Sequence, residues 1–219
     1  MLTVEQAHGA AFFARLFSSL YINPPGLELV QELAQQNLAS QWPFAHDQHS
    51  VDVLMHLHAE LEQEASLSAL QGTLQEEHLN LFIGLGMPQV PLWGSVYLDK
   101  ENLLLGPSCL ALESFLAQAD LVCTLHAREP LDHLGLVLSA LAVFLERFCN
   151  DTVTNEGTAQ VLRDFLGMHI NTWVYRCLEL QEELARSSFY QALGKLTKNL
   201  FVHLSEIFQA ERIEKKLYY

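Results

Sequence analysis

The feature that most constrains the fold is an apolar run at residues 134–145, which reads LGLVLSALAVFL and contains Ser139 as its one polar side chain. It contains no charged residue and is the longest such run in the chain. A helix that spans a bilayer needs about 20 consecutive apolar residues. The run is too short for that, and it instead predicts a helix buried in the core of a globular protein.

The five residues before this run predict how the helix begins, and they read Glu129-Pro130-Leu131-Asp132-His133. Pro130 suits the first helical position, because its φ is helical and it has no N–H to leave unpaired. The residue before a proline is kept out of the α region, so Glu129 is expected just outside the helix. Asp132 and His133 would then lie in the first turn, where the helix dipole favours a carboxylate. Two interpretations stay open: an ordinary helix start, or three polar side chains that point together into a cleft and bind a ligand.

The rest of the chain also predicts helices. Apolar residues recur at helical spacing in the ranges 3–20, 27–38, 49–65, 67–82, 108–119, 130–149, 158–165, 170–186 and 188–215, with a bend or break expected near Gln209. No stretch alternates with period two, and leucine is abundant while isoleucine is rare, which favours helices over strands. We therefore predict an all-α globular bundle of roughly ten helices without a sheet.

Residues 84–107 interrupt this pattern, since they include the helix breakers Gly84, Gly86, Pro88 and Pro91. A segment this long without regular structure is uncommon inside a compact domain. It usually has a function or contains hidden structure. This segment is therefore a candidate functional region.

The chain is expected to form one all-helical domain over residues 1–219. Within it, two helical halves at about 1–123 and 129–219 are conceivable, joined by a polar hinge at residues 124–128. A hinge of this kind would allow two subunits to exchange halves, so both a monomer and a dimer stay open.

The charge balance narrows the range of partners. The chain has 26 acidic residues against 12 Lys and Arg, a net charge of −14. This argues against nucleic acid, whose phosphates need a basic surface. A basic peptide or a basic protein patch is the more natural partner. The first residues lack the basic segment of a secretory signal, so we expect a cytoplasmic protein without stable membrane insertion.

Recognisable catalytic and cofactor motifs are missing from the sequence. It has no GxxxxGKS/T, GxGxxG, HExxH or GxSxG pattern. The ten histidines show no metal-site spacing, and the four cysteines, which contain no CxxC pair, are expected as reduced core residues. The sequence therefore predicts neither a metal site nor a cofactor, and no nucleophile is recognisable beside residues 129–133 for acid–base chemistry.

Several short motifs do occur in a characteristic order. Residues 81–84 read LFIG, residues 91–99 read PLWGSVYLD, residues 129–133 read EPLDH, and residues 189–196 read FYQALGKL. In this order and spacing they resemble the TorD/DmsD family of redox enzyme maturation proteins, and the last motif is similar to its DmsD branch. The family pattern has a second proline where this chain has Leu92, and often proline and tryptophan where it has Leu85 and Gly86. The rim of the binding cleft and its peptide preference are therefore expected to differ.

The resemblance implies an all-helical cytoplasmic chaperone that is not an enzyme and carries no cofactor. Family members bind the twin-arginine signal peptide of a molybdenum-containing oxidoreductase subunit, of the dimethyl sulfoxide or trimethylamine N-oxide reductase type. They delay its export until its cofactor is loaded and it has folded, and components of the twin-arginine translocase are further implied partners. The implied peptide-binding residues are Phe82, Gly84, Pro91, Leu92, Trp93, Ser95, Tyr97, Glu129, Pro130, Asp132 and His133.

The chemistry of such a peptide suggests a role for the polar residues among these. A twin-arginine peptide offers two guanidinium groups followed by an apolar stretch. Glu129 and Asp132 would pair with the guanidinium groups in bidentate geometry. His133 would donate a hydrogen bond or orient Asp132.

The aromatic and apolar residues would take the rest of the peptide. Trp93 and Tyr97, together with Leu92 and Phe82, would form a groove with aromatic anchors. One alternative is that Trp93 and Tyr97 only pin the long segment to the core. Two others concern the function: guanine-nucleotide binding or hydrolysis on the same fold, and a structural protein whose acidic face binds a basic partner without reading a signal peptide.

Overall fold

The predicted helices are present in the computed structural model, which describes residues 2–84, 86–121, 129–150 and 156–219. The ten α-helices in these ranges are α1 (Val4–Ile22), α2 (Leu27–Gln35), α3 (Gln48–Gln63), α4 (Leu67–His78), α5 (Gly94–Leu98), α6 (Pro107–Gln118), α7 (Leu134–Asn150), α8 (Glu156–Asp164), α9 (Val174–Leu184) and α10 (Ser188–Phe208). A 3-10 turn (Leu38–Gln41) and two π-helical turns (Leu79–Ile83 and Phe165–Ile170) complete the helical elements. No strand occurs in the described ranges, so the predicted all-α class is confirmed.

The start of α1 shows the expected side-chain cap. Thr3 Oγ1 accepts a hydrogen bond from the Gln6 N–H at 3.1 Å, and the Gln6 side-chain oxygen accepts one from the Thr3 N–H at 3.0 Å. These two bonds satisfy backbone donors that the first turn leaves without helical partners. The capping box predicts the beginning of α1 from sequence alone, because both partners lie within one turn.

The apolar run forms α7, which packs most extensively against α1. Alanines supply much of the buried surface of α1, at positions 7, 10, 11 and 14. Small side chains bring the two backbones close together, and Ser18 Oγ of α1 donates a hydrogen bond to the Gly135 carbonyl at 2.7 Å. A β-carbon on Gly135 would lie only 2.6 Å from Ile22 Cγ1. The approach of α1 to the first turn of α7 therefore depends on glycine at this position.

The predicted start of α7 at Pro130 is wrong, since the helix begins at Leu134. Residues 130–133 instead form a turn, in which the His133 N–H donates to the Pro130 carbonyl at 3.0 Å. The backbone at Asp132 and His133 is bridged to a distant segment described below. That pairing holds the two residues out of the helix, and local sequence gives no sign of it.

The predicted extension of the last helix to residue 215 is also wrong, although the break near Gln209 is confirmed. Helix α10 ends at Phe208, and Gln209 adopts a left-handed conformation with a φ of 53°. Arg163 Nε donates to the Phe208 carbonyl at 2.7 Å, which satisfies one of the last carbonyls of the helix. Residues 211–219 have no regular secondary structure. We refer to them as the tail.

Two other expectations concern the overall organisation of the chain. The proposed hinge at residues 124–128 lies outside the described residues, and the division into two halves stays a prediction. Within the described ranges, none of the helices combines the length and the apolar character needed to cross a membrane.

Substituting Gly135 by alanine is expected to destabilise the fold. The new methyl group would meet Ile22 and would also lie 3.2 Å from the Ser18 carbonyl oxygen. Overpacking of this kind costs about 1–3 kcal/mol, which exceeds the gain in helix propensity. Urea denaturation followed by circular dichroism measures the change in the free energy of unfolding.

Gly72 provides the matched control, because it lies within α4 and a β-carbon there would meet no atom within 4 Å. Gly72→Ala is expected to stabilise the protein by up to about 1 kcal/mol. Equal effects of the two substitutions would contradict the close packing of α1 on α7.

Candidate functional site

An antiparallel backbone bridge joins the PLWGSVYLD motif at residues 91–99 to the EPLDH motif at residues 129–133. Trp93 pairs with His133 across this bridge. The Leu134 N–H donates to the Leu92 carbonyl at 2.7 Å, and the Gly94 N–H donates to the Asp132 carbonyl at 3.1 Å. The bridge therefore holds the segment before α5 against the entry to α7, and it brings together residues that are distant in sequence.

The side chains beside the bridge face two different pockets. Trp93 and His133 line a large cleft, whereas Gly94 and Asp132 line a smaller pocket. This alternation is expected of paired extended segments, in which successive side chains point to opposite sides. The two carboxylates predicted to act together are thus separated, because Glu129 lines the large cleft with His133 and Asp132 does not.

The large cleft has a volume of about 720 Å³. Its lining residues come from α1, from the two bridged segments, from the π-helical turn and from α7: Arg15, Ser18, Ser19, Tyr21, Ile22, Asn23, Phe82, Ile83, Leu92, Trp93, Glu129, His133, Leu136 and Ser139. Five of the residues predicted from sequence are among them, namely Phe82, Leu92, Trp93, Glu129 and His133. The structure brings these five together around one space, which has the size of a site for a peptide side chain or a small ligand.

The charged side chains of the cleft differ in how far they are neutralised. Arg15 forms a bidentate ion pair with Glu146, with Nε and Nη2 each 2.7 Å from a carboxylate oxygen. Glu129 is exposed and accepts a hydrogen bond from Trp93 Nε1 at 3.2 Å. The positive charge in the cleft is therefore compensated, whereas the Glu129 carboxylate keeps acceptor capacity for a cationic group.

His133 is buried beside the bridge and is held in one tautomer. Its Nδ1 accepts a hydrogen bond from the Gly135 N–H at 3.1 Å, so the neutral ring carries its proton on Nε2. The ring packs edge to face with Trp93 at a centroid distance of 5.5 Å. Burial, with a further contribution from His78, lowers the pKa of His133 to about 4. His133 is therefore a neutral hydrogen-bond donor at neutral pH.

Asp132 positions the segment that carries Trp93. Its Oδ2 accepts a hydrogen bond from the Ser95 N–H at 2.6 Å, which caps the first turn of α5. The side chain is buried, and Oδ1 has no hydrogen-bond partner of good geometry in the described part of the chain. The Cys109 thiol faces this carboxylate, and burial together with the charge of Asp132 raises its pKa to about 11. Of the two carboxylate oxygens, only Oδ2 therefore accepts a hydrogen bond within the described part of the chain.

Other predicted residues lie behind the wall of the cleft. Tyr97 is fully buried, donates from its hydroxyl to the Pro91 carbonyl at 2.7 Å and stacks on Trp173 at 5.7 Å. Ser95 is also buried, on the first turn of α5. Neither Pro91, Ser95 nor Tyr97 lines the large cleft. Tyr97 therefore pins the long segment to the core, as one of the alternatives from the sequence proposed. Trp93 differs, because it is partly exposed at the cleft.

Gly84 and Pro130 shape the backbone at the rim. Gly84 ends the π-helical turn with a φ of +61°, a conformation that L side chains rarely adopt, and donates its N–H to the Leu79 carbonyl at 2.7 Å. Pro130 supplies the carbonyl of the turn before α7. Both residues therefore contribute backbone geometry, and neither lines the large cleft.

The contribution of α1 to the cleft has no signal in the sequence. Ser18, Ser19, Ile22 and Asn23 lie on a helix end that carries no motif. They reach the site because α1 packs against α7, which is a tertiary contact between opposite parts of the chain. Inspection of single motifs therefore finds one wall of the cleft and misses the other.

Comparison with known proteins shows the family of this chain. Residues 46–179 match the model of the family described as "Nitrate reductase delta subunit". The chain is 33% identical over 193 residues to "Probable Tat proofreading chaperone DmsD" of Haemophilus influenzae, with 85% of each chain covered. This protein belongs to the TorD/DmsD family.

Two further relatives extend the comparison within the TorD/DmsD family. "Tat proofreading chaperone DmsD" of Salmonella typhi is 31% identical over 207 residues, with 90% of each chain covered. "Chaperone protein TorD" of Shewanella pealeana is 28% identical over 177 residues, which cover 78% of this chain and 74% of that protein. The family resemblance inferred from the short motifs is confirmed.

Acidification is expected to destabilise this TorD/DmsD protein between about pH 6.5 and pH 4. Burial lowers the pKa of both His133 and His78 to about 4 in the folded state, whereas an unfolded histidine titrates near 6.5. In this window the unfolded chain binds more protons, so the free energy of unfolding falls as the pH falls. Above the unfolded pKa of about 6.5 both rings are neutral in the folded and in the unfolded state, so neither histidine lowers the free energy of unfolding there.

His133→Asn tests this dependence, since the asparagine oxygen can replace Nδ1 as acceptor while the titrating ring is lost. The slope of unfolding free energy against pH should decrease by up to about 1.4 kcal/mol per pH unit in this window. Urea denaturation at several pH values measures it. His49→Asn, at an exposed position, is the matched control, and an equal change of slope in both variants would contradict the role of burial.

Proposed function

We propose that this protein is a cytoplasmic, non-enzymatic chaperone that binds the twin-arginine signal peptide of a molybdenum-containing oxidoreductase precursor. In this proposal it holds the precursor back from export until the cofactor is loaded and the subunit has folded. Membership of the TorD/DmsD family supports the chaperone role. The names of the relatives, which refer to Tat proofreading, support the choice of a twin-arginine precursor as the client.

The observation that carries the proposal is the composition of the large cleft. Its walls are mainly apolar and aromatic, with Phe82, Leu92 and Trp93 on one side and Leu136 on α7. Trp93 is partly exposed, so an apolar side chain of a peptide could pack against its ring. Aromatic anchors of this kind dominate the binding energy of peptide grooves.

The polar groups of the cleft suit a cationic peptide. Glu129 is exposed, and its carboxylate can accept a bidentate hydrogen bond from a guanidinium group. Arg15 would oppose such a ligand, but its charge is neutralised by Glu146. The net charge of −14 favours the approach of a basic segment. His133 is neutral at working pH and so adds no repulsion.

Asp132 supports the wall of the large cleft without lining the cleft itself. Its carboxylate caps α5, and its carbonyl accepts from Gly94, so both groups hold the segment that presents Trp93. Asp132→Ala should weaken peptide binding by loosening this wall while the helical circular dichroism signal is retained. His133→Ala should weaken binding too, through loss of its contact with Trp93.

Glu129→Gln is the most direct test of the proposed recognition. The change keeps the shape of the side chain and removes its charge, so affinity for a synthetic twin-arginine peptide should fall about tenfold, as expected for loss of a charge-assisted hydrogen bond. Isothermal titration calorimetry measures the dissociation constant. Glu62→Gln is the matched control, since Glu62 is exposed on α3 and lines neither the cleft nor the small pocket.

A change in the peptide separates recognition from general charge attraction. Replacing both arginines by lysines keeps the charge and removes the planar fork of donors. Affinity for the wild-type protein should fall with this peptide, and Glu129→Gln should then have a smaller effect. Equal affinity for both peptides would favour a surface that attracts basic segments without reading a signal peptide.

The client is best identified by capture from the native cytoplasm. The tagged protein should retain the precursor of a molybdenum-containing oxidoreductase with its signal peptide still attached, and mass spectrometry identifies it. Trp93→Ala should retain less of the same precursor, because the aromatic anchor is lost. Capture of mature enzyme without a signal peptide, at equal yield in both variants, would contradict the proposed mode of binding.

A further inference from the structure

The small pocket is lined by the buried carboxylate of Asp132, one oxygen of which accepts no hydrogen bond in the described part of the chain. The pocket has a volume of about 230 Å³, and its lining residues include Gly94, Asp132, His169, Trp173 and Lys215. Asp132 is only 3% exposed, and its Oδ1 accepts no hydrogen bond from an N–H or O–H group of the described residues, although the Cys109 thiol, a weak donor, faces the carboxylate. A buried acceptor without a donor is costly, and a carboxylate is best complemented by a cationic donor. The pocket therefore suits an ammonium or guanidinium group.

The tail places a lysine at this pocket. Lys215 lines it together with Asp132 and His169. Burial, with a further contribution from the positive charge of Lys215, lowers the pKa of His169 to about 4, which is consistent with an ammonium group nearby. The Lys215 side chain is exposed, and among the described residues it forms no ion pair with Asp132, so Oδ1 stays open to a cationic ligand.

The sequence of the tail has the same chemical order as the proposed peptide ligand. Two consecutive basic residues, Lys215 and Lys216, are followed by Leu217, Tyr218 and Tyr219. A twin-arginine signal peptide likewise presents two adjacent basic residues followed by an apolar stretch. The tail holds three of the 12 basic residues of this acidic chain, the third being Arg212, and two acidic residues, Glu211 and Glu214.

The docked tail reaches the segment that forms one wall of the large cleft. The Tyr218 N–H donates to the Tyr97 carbonyl at 2.9 Å, and the Tyr219 hydroxyl donates to the Pro88 carbonyl at 3.3 Å. The Tyr219 ring also packs edge to face with Tyr97 at 5.7 Å. The tail has no helix of its own and is held by few backbone hydrogen bonds, so it can detach without unfolding the core.

We infer that the tail is an internal competitor of the basic peptide, with Lys215 at the Asp132 pocket in the free protein and a guanidinium group of the peptide replacing it on binding. This inference rests on the proposed function and adds a second cation-binding pocket and its regulation. A guanidinium group is expected to displace the lysine, because its planar fork of donors can bond to the carboxylate oxygen that Lys215 leaves unpaired. A basic peptide whose cationic group does not reach Asp132 would fail to displace the tail.

The expected size of the effect follows from the fraction of molecules with a docked tail. If the tail is docked in half to nine tenths of the molecules, it lowers the apparent affinity for the peptide about two- to tenfold. Removing the two lysines should therefore strengthen peptide binding by that factor. The two tyrosines and their contacts with residues 88 and 97 stay in place in such a variant.

The decisive experiment compares two double variants of the full chain by calorimetry with a synthetic twin-arginine peptide that lacks lysine. Lys215→Ala/Lys216→Ala removes the proposed competitor. Lys100→Ala/Lys195→Ala makes the same change in net charge at positions that line neither the cleft nor the small pocket. Tighter binding by the tail variant than by this control is expected. Equal or weaker binding by the tail variant would overturn the inference.

Release of the tail gives a second readout. A lysine-specific endoprotease should cleave after Lys216 faster when the wild-type protein holds the peptide, and mass spectrometry follows the cut. A rate that stays the same or falls on peptide binding would contradict displacement.

If the wild-type protein and all variants fail to bind the peptide, the proposed function fails as well. Tight binding that is equal in the tail and control variants counts against the competition alone.

Discussion

The backbone bridge between Trp93 and His133 is the interaction on which the site depends. Two hydrogen bonds hold the irregular segment before α5 against the entry to α7, and they do so with main-chain atoms rather than with a particular side chain. The buried carboxylate of Asp132 reinforces the bridge by capping α5. A long loop without helical hydrogen bonds would otherwise be mobile, and its aromatic side chain would have no defined direction.

The bridge also directs neighbouring motif residues to different pockets. Because neighbouring side chains on an extended segment point to opposite sides, Trp93 faces the large cleft while Gly94 faces the small pocket. The same rule sends His133 and Asp132 in opposite directions. The EPLDH motif thereby lines two pockets. One is broad and mainly apolar, and the other is small and lined by Asp132, whose Oδ1 accepts no hydrogen bond in the described part of the chain. In the proposed chaperone both spaces meet the same kind of ligand, a basic peptide with an apolar continuation.

Sequence reasoning succeeded where the deciding contacts are local and failed where they are not. The Thr3–Gln6 cap lies within one turn and was predictable, as was the end of α10 near Gln209. The start of α7 was misplaced, since the residues after Pro130 are held by a partner that lies far away in the sequence. The serines of α1 that line the cleft were missed for the same reason, because only the packing of α1 on α7 brings them there.

By itself the sequence determined the all-α class, the buried apolar helix α7, the family and five of the residues that line the large cleft. These follow from periodicity and from short motifs, whose physical causes act over a few residues. Only the tertiary structure decided that Glu129 and Asp132 face different pockets, and that Tyr97 is buried behind the wall. It also placed Lys215 of the tail at the Asp132 pocket. Those outcomes depend on long-range pairing and packing, in which a side chain's direction is set by a partner that its own sequence neighbourhood does not reveal.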